Sequence, residues 1–200
     1  MSDPNRVVKR LLEDRIEFKF YAVEKHLQIL SDMEAKGETP NNPRARVNWE
    51  VEIEELLFHL IGAMDCLLDR INERLNLKLE TRNVTTINIC KKLRMNKRND
   101  LIKELWDLLN PRNPISSWLK IVTELRNTGT HRSIINVRFA KGNMHITLAE
   151  DSDLEIIPYL DDRIQRMRDL IDTIISREPL LSRKYPSKKR RSKYDGRKFR

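Results

Sequence analysis

The longest helical pattern of the chain lies in residues 45–76, which read ARVNWEVEIEELLFHLIGAMDCLLDRINERLN. Apolar residues recur there at spacings of three and four, which places them on one face of an α-helix. This stripe consists of Ile53, Leu57, Leu60, Met64, Leu67, Ile71 and Leu75. Because so long a stripe must be covered by other helices, the stretch predicts a helical bundle.

A second long pattern precedes it in residues 4–36. Asp3 can cap this helix, and Pro4 suits its first position. Its predicted stripe is Val8, Leu12, Ile16, Phe20, Val23, Leu27 and Leu30. Residues 37–43 read GETPNNP and predict a loop. Two stripes joined by a short loop predict antiparallel packing of the two helices.

The middle of the chain is less regular. Residues 84–87 have strand-like types and residues 89–95 look helical, and a short helix is favoured there. A helix is predicted for residues 99–109, and the NPRNP of residues 110–114 ends it. Asn113 then caps a further helix with Pro114 in its first turn. The inward residues of that helix are Ile115, Trp118, Val122 and Leu125.

Short β-rich runs follow at residues 134–139 and 144–148, with a glycine turn at residues 141–143, and predict a hairpin. A last helix is predicted from about residue 154 to 177, ended by Pro179. The predicted fold is therefore mainly all-α, an up-and-down helical bundle with a small β-hairpin inserted before the last helix. We expect residues 1–181 to form this domain, with the hairpin at about 134–148, and residues 182–200 to form a basic, flexible tail.

Composition excludes several classes of protein. No apolar run is long enough to span a membrane, and the first residues lack the apolar core of a secretory signal. The two cysteines, Cys66 and Cys90, form no CxxC or Cys/His motif, so neither a disulfide framework nor a structural zinc site is predicted. We therefore expect a cytoplasmic protein that needs no metal and no cofactor.

The formal net charge of +9 is confined to residues 182–200, which hold ten Lys/Arg residues and one acid, while the rest is neutral. Such a tail is either a solubilising extension or an arm that binds nucleic acid. Its candidate RNA-binding residues are Arg183, Lys184, Lys188, Lys189, Arg190, Arg191, Lys193, Arg197 and Lys198.

The strongest chemical signal is in residues 126–131, which read RNTGTH. His131 can exchange a proton with a ribose 2′-hydroxyl or with a leaving oxygen. Arg126 can bind the phosphate and stabilise developing charge, and Asn127 can orient the histidine. Gly129 weakens the helix and could let its last turn unwind, which would swing His131 towards Arg126. The alternative is that all three are ordinary residues at a helix end.

Other candidates are weaker. Glu55 and His59 lie one helical turn apart and are candidate accessory groups, although a solvated helix face is the favoured interpretation. The sequence suggests no partner for His26 or His145. The three tryptophans are predicted to be packing residues: Trp49, Trp106 and Trp118.

A helical bundle carrying Arg-Asn-x-x-x-His in a late helix resembles the HEPN superfamily (higher eukaryotes and prokaryotes nucleotide-binding). The resemblance covers roughly residues 4–178. It implies that Arg126, Asn127 and His131 are catalytic and that two motif helices meet in a homodimer with one composite RNA-cleaving cleft. Members act as toxins, in phage defence and in RNA processing, so an antitoxin protein is a candidate partner.

Two departures from that family are evident. First, the hairpin and the basic tail are additions to the minimal bundle. Second, family members that are silenced by nucleotidylation carry a tyrosine two residues after the histidine, and Ser133 occupies that position here.

The predicted function is a metal-independent endoribonuclease. The alternatives are a non-catalytic RNA- or nucleotide-binding module and a structural helical partner protein, since a fold alone does not establish activity.

Overall fold

The computed structural model describes residues 4–39, 41–101, 103, 117–131, 135, 137–140, 143–147 and 153–182. Its helices are α1 (Pro4–Glu13), α2 (Arg15–Ala35), α3 (Pro43–Arg74), α4 (Thr86–Met95), α5 (Ser117–His131) and α6 (Ile156–Arg177). Short 3-10 turns lie at Thr81–Asn83 and Pro179–Leu181. Residues 99–101 and 103 are also helical.

The core is built around α3, the helix of the long apolar pattern. It packs along α2 and also contacts α5, α6 and α4. Each predicted stripe residue of α3 from Ile53 to Ile71 is buried, and Leu75 is partly buried. Trp49 is fully buried, and its indole N–H donates to the carbonyl of Glu38 at 2.9 Å. Trp118 is buried as well, whereas Trp106 lies outside the described residues.

The first predicted helix is in fact two helices. The backbone of Asp14 is extended, and its carboxylate caps α2 by accepting from the N–H groups of Ile16 at 3.1 Å and Glu17 at 3.4 Å. As a result, the stripe continues into the core only from Ile16 onwards. Val8 is 55% exposed and Leu12 is 74% exposed, so their predicted burial is wrong.

The predicted loop and the short helix are both present. Gly37 has a φ of +69°, which glycine adopts readily, and Asn42 caps α3 with Pro43 at its start. Residues 84–87 do not form a strand. The Thr85 hydroxyl accepts from the Asn88 N–H at 3.3 Å and begins α4. The predicted break at residues 110–114 and the end of the helix before it lie outside the described residues.

A small antiparallel sheet lies between α5 and α6. It contains β1 (Val137–Ala140), β2 (Asn143–Thr147) and β3 (Asp153–Glu155) in the order β1-β2-β3. Val137 pairs with Ile146 in the predicted hairpin, and both are buried in the part of the sheet that packs on α3 and α6. The predicted turn residues 141 and 142 lie outside the described residues. The third strand was not predicted, because its sequence DLE has too few apolar residues to form a pattern.

The last helix closes the bundle. α6 begins at Ile156 instead of about residue 154, since Leu154 belongs to β3. Its predicted inward residues are all buried: Ile157, Leu160, Ile164, Met167, Ile171 and Ile174. The mainly α-helical fold with a small sheet before the last helix is thus confirmed. Among the described helices, none is long and apolar enough to cross a membrane.

Candidate functional site

The Arg-Asn-x-x-x-His motif forms the last turns of α5. Trp118, Leu119 and Val122 turn inward from this helix, which packs against α3. Arg126 and Asn127 are half-buried at the edge of that contact. The motif therefore lies at the bundle surface, on a helix that the core holds in place.

Arg126 and Asn127 contact each other. The Arg126 Nη1 donates to the Asn127 Oδ1 at 3.0 Å, which orients the guanidinium and the amide together. Arg126 is also close enough to Asp65 on α3 to affect its ionisation. Loss of hydration raises the pKa of the Asp65 carboxyl, and the Arg126 charge opposes that rise. The guanidinium thus lies in the field of a carboxylate from the neighbouring helix.

The helix does not unwind at Gly129, although a glycine could allow it. α5 is continuous through His131. The glycine instead permits a close approach to α3, because a Cβ built on it would lie 2.8 Å from the Cγ of Glu54. A small residue at this position lets the motif end of α5 pack tightly on α3.

His131 is the last residue of α5, and its side chain lies outside the described part of the structure. The continuous helical backbone keeps positions 127 and 131 one turn apart on the same face. Position 126 is about 140° round the helix from position 131. The sequence motif therefore occupies one regular helix, as its spacing predicts.

Glu55 and His59 belong to a second polar cluster, formed between α2 and α3. His59 Nε2 lies 3.8 Å from Glu55 Oε2, and His59 Nδ1 lies 3.3 Å from the Nζ of Lys19. The His26 ring stacks on the His59 ring with centroids 5.7 Å apart. His26 also has a partner of its own, Glu52, whose Oε2 is 2.7 Å from its Nδ1. We call Lys19, His26, Glu52, Glu55 and His59 the histidine cluster.

The environment of His59 favours its neutral form. Partial burial lowers the pKa of His59 most, and the charge of Lys19 lowers it further, while Glu55 opposes both. Ligand atoms of His26, Glu55 and His59 all lie within 4.8 Å of one another, which is a grouping that could hold a metal ion. Sequence reasoning did not find this group because His26 comes from a different helix. Only the one-turn spacing of Glu55 and His59 pointed to it.

Lys19 of the histidine cluster lies against α3. Its side chain crosses α3 at Gly62, where an added Cβ would lie 2.9 Å from the Lys19 Cε. The charges of Lys19 and Arg126 both oppose the rise in the pKa of Asp65. The Asp65 carboxylate of α3 thus lies in the field of one cation from the motif and one from the histidine cluster.

An open cleft of about 510 Å³ lies elsewhere, near the junction of α1 and α2. Arg15, Arg70 and Arg74 line it together with several carboxylates and Ser182. Neither Arg126 nor His59 lines this cleft. The candidate RNA-binding residues from Arg183 to Lys198 lie outside the described residues.

Comparison of the chain with models of protein families, with curated proteins and with solved structures finds no match.

Proposed function

We propose that the protein is a metal-independent endoribonuclease of the HEPN type. The observation that carries the proposal is the motif itself, on one regular helix at the bundle surface. Arg126 and Asn127 are hydrogen-bonded there at 3.0 Å, and Asn127 lies one turn before His131. This combination of a guanidinium, an amide and an imidazole suits proton transfer at a phosphodiester.

In the proposed reaction, the 2′-hydroxyl of the RNA attacks the adjacent phosphorus. His131 takes the hydroxyl proton or gives one to the leaving 5′-oxygen. Arg126 binds the phosphate and stabilises the charge that develops on it, while Asn127 holds the guanidinium in position. Such chemistry needs no metal ion, because the nucleophile is part of the substrate.

A homodimer through α5 is part of the proposal, with two motifs forming one cleft. The surface of α3 beside the motif is compatible with this assembly. Val51 and Phe58 are exposed there on the same helix face as Glu54, which contacts Gly129. Exposed apolar side chains next to a candidate site are typical of a protein interface.

The basic tail would hold RNA non-specifically through its phosphates. A toxin, phage-defence or stress effector is the biological role that this activity suggests, with an antitoxin protein as a candidate partner. Such a role is consistent with a cytoplasmic location.

The test is cleavage of labelled RNA by the full chain. His131→Ala and Arg126→Ala should each slow cleavage by at least about 10²-fold. Lys120→Ala is the matched control, since it removes an exposed cation from the same helix. Cleavage should persist in EDTA, and RNA with a 2′-O-methyl at the cut site should be inert. A folded His131→Ala variant that cuts at the normal rate would overturn the proposal, and RNA binding without cleavage would favour a non-catalytic RNA-binding module.

The proposed dimer is tested separately by light scattering, which should give twice the chain mass of 23.8 kDa. A monomer that remains fully active at nanomolar concentration would contradict the composite cleft.

A further inference from the structure

We propose that His26, Glu55 and His59 form a binding site for a zinc ion between α2 and α3. This proposal is independent of the RNA-cleaving activity, which needs no metal. It rests on the ligand types, their separation and the groups that hold them in place.

The ligand set is appropriate for zinc. Two imidazoles and one carboxylate form a common protein donor set for this ion, and the remaining position can be filled by water. All three ligand atoms lie within 4.8 Å of one another. A tetrahedral ion needs ligand atoms about 3.3 Å apart, given the usual zinc bond lengths. Glu55 Oε2 and His59 Nε2 are 3.8 Å apart, and the half-exposed Glu55 side chain can close that gap by rotation.

The ring of His26 is held by a carboxylate at one of its two nitrogens. Its Nδ1 lies 2.7 Å from Glu52 Oε2. When Nδ1–H donates to that carboxylate, Nε2 carries the lone pair that a metal binds. A carboxylate bonded to the far nitrogen is the usual support of a metal-binding histidine, because it fixes the ring and raises its basicity.

The backbone that carries the ligands is rigid. His26 and Leu27 are adjacent on α2, and His59 and Leu60 are adjacent on α3. Both leucines are buried and belong to the hydrophobic core. Because core packing fixes both helices, a bound ion would order few additional groups. Its binding should link α2 to α3 and stabilise the folded chain.

The positive charge of Lys19 opposes the binding of a zinc ion at this site. Its Nζ lies 3.3 Å from His59 Nδ1 and is also 4.7 Å from the centroid of the Phe58 ring. A cation this close repels a metal ion, so zinc binding must move the ammonium group away. Replacing Lys19 by methionine keeps the aliphatic packing and removes the charge. This substitution should tighten zinc binding by at least about fivefold, since two unit charges about 4 Å apart in water interact by roughly 1 kcal/mol and the zinc ion carries two charges.

The experiment is calorimetric titration of the full, EDTA-stripped and dialysed chain with zinc chloride. We expect one zinc ion per chain with a Kd of about 10 μM or tighter. Glu55→Gln and His59→Gln should each weaken binding by at least about tenfold. Glu55→Gln is the more secure variant for folding because Glu55 is exposed. Zinc should also raise the melting temperature of the wild-type protein, and this rise should be lost in both variants.

Two controls separate this site from other zinc ligands. Cys66→Ser removes the half-buried thiol of α3, and His131→Ala removes the motif imidazole. Both should bind zinc as the wild type does, whether or not the protein cleaves RNA. The proposal is overturned if the wild type binds no zinc up to about 100 μM, if Glu55→Gln and His59→Gln bind normally, or if binding depends on Cys66.

Discussion

Gly129 of α5 lies against the side chain of Glu54 of α3, so that an added Cβ would be 2.8 Å from the Glu54 Cγ. Glycine costs a helix about 1 kcal/mol relative to alanine. Its presence within a continuous helix is explained here by the close approach of the neighbouring side chain. This contact sets how near the motif comes to α3.

Gly129→Ala should therefore have opposing effects. Alanine favours the helix by about 1 kcal/mol, but its methyl group must displace Glu54. In a Glu54→Ala background the displacement is removed, so the same substitution should be more stabilising by about 0.5–1 kcal/mol. Urea unfolding of the two single variants, the double variant and the wild type measures this coupling. Equal effects of Gly129→Ala in both backgrounds would show that Glu54 does not oppose the methyl group.

Asp14 should be important for stability. It caps α2, it also accepts from the Nη2 of Arg70 at 2.7 Å, and its side chain is only 3% exposed. Asp14→Ala should cost about 2–4 kcal/mol in the free energy of unfolding, from the lost cap and the unpaired guanidinium. Asn42→Ala is the matched control, because Asn42 caps α3 at an exposed site and should cost about 1 kcal/mol. Similar losses in the two variants would contradict a special role for the buried pair.

Acid should destabilise the packing between the end of α6 and the residues after α4. The Leu180 N–H and the Arg98 guanidinium hold the pKa of Glu178 below its ordinary value, and Arg98 likewise lowers the pKa of Asp100. A carboxyl whose pKa is lower when folded stabilises the protein above its unfolded pKa, and this stability is lost as the pH falls further. The free energy of unfolding should thus be maintained near neutral pH and decline below about pH 4.3.

Glu178→Gln tests this acid effect. Glu178 is 7% exposed, so the substitution should cost about 1–3 kcal/mol at pH 7 and should reduce the decline in acid. Glu80→Gln is the control, since Glu80 pairs with Arg82 in an exposed ion pair of little expected value. An unchanged acid decline in Glu178→Gln would assign the effect to other carboxylates.

The basic tail should determine the salt dependence of RNA binding. Each phosphate that it neutralises should contribute a slope of about 0.7 log units of affinity per tenfold change in salt. Removing residues 182–200 should weaken binding and flatten that slope, while leaving cleavage at saturating RNA largely intact. The test is to measure RNA affinity across a salt series for the full chain and for residues 1–181, and to compare the two slopes. Identical slopes would mean that the tail is only a solubilising extension.

The sequence by itself determined the long helices α3 and α6 and their buried faces. The stripe from Ile53 to Ile71 predicted a buried face because helical periodicity depends only on local spacing. Pro4 marks the start of α1 for the same local reason. The spacing of Arg126, Asn127 and His131 likewise places the motif on one helix without reference to any tertiary contact.

Tertiary structure decided the features that depend on partners distant in sequence. The break between α1 and α2 is stabilised by Arg70, which approaches Asp14 from α3. The strand β3 exists because β2 supplies its hydrogen-bonding partner. His26 and His59 became a candidate metal site only when two helices packed their rings together. Hydrophobic spacing fixes which face of a helix turns inward, but only packing determines which polar groups meet at the edges of those faces.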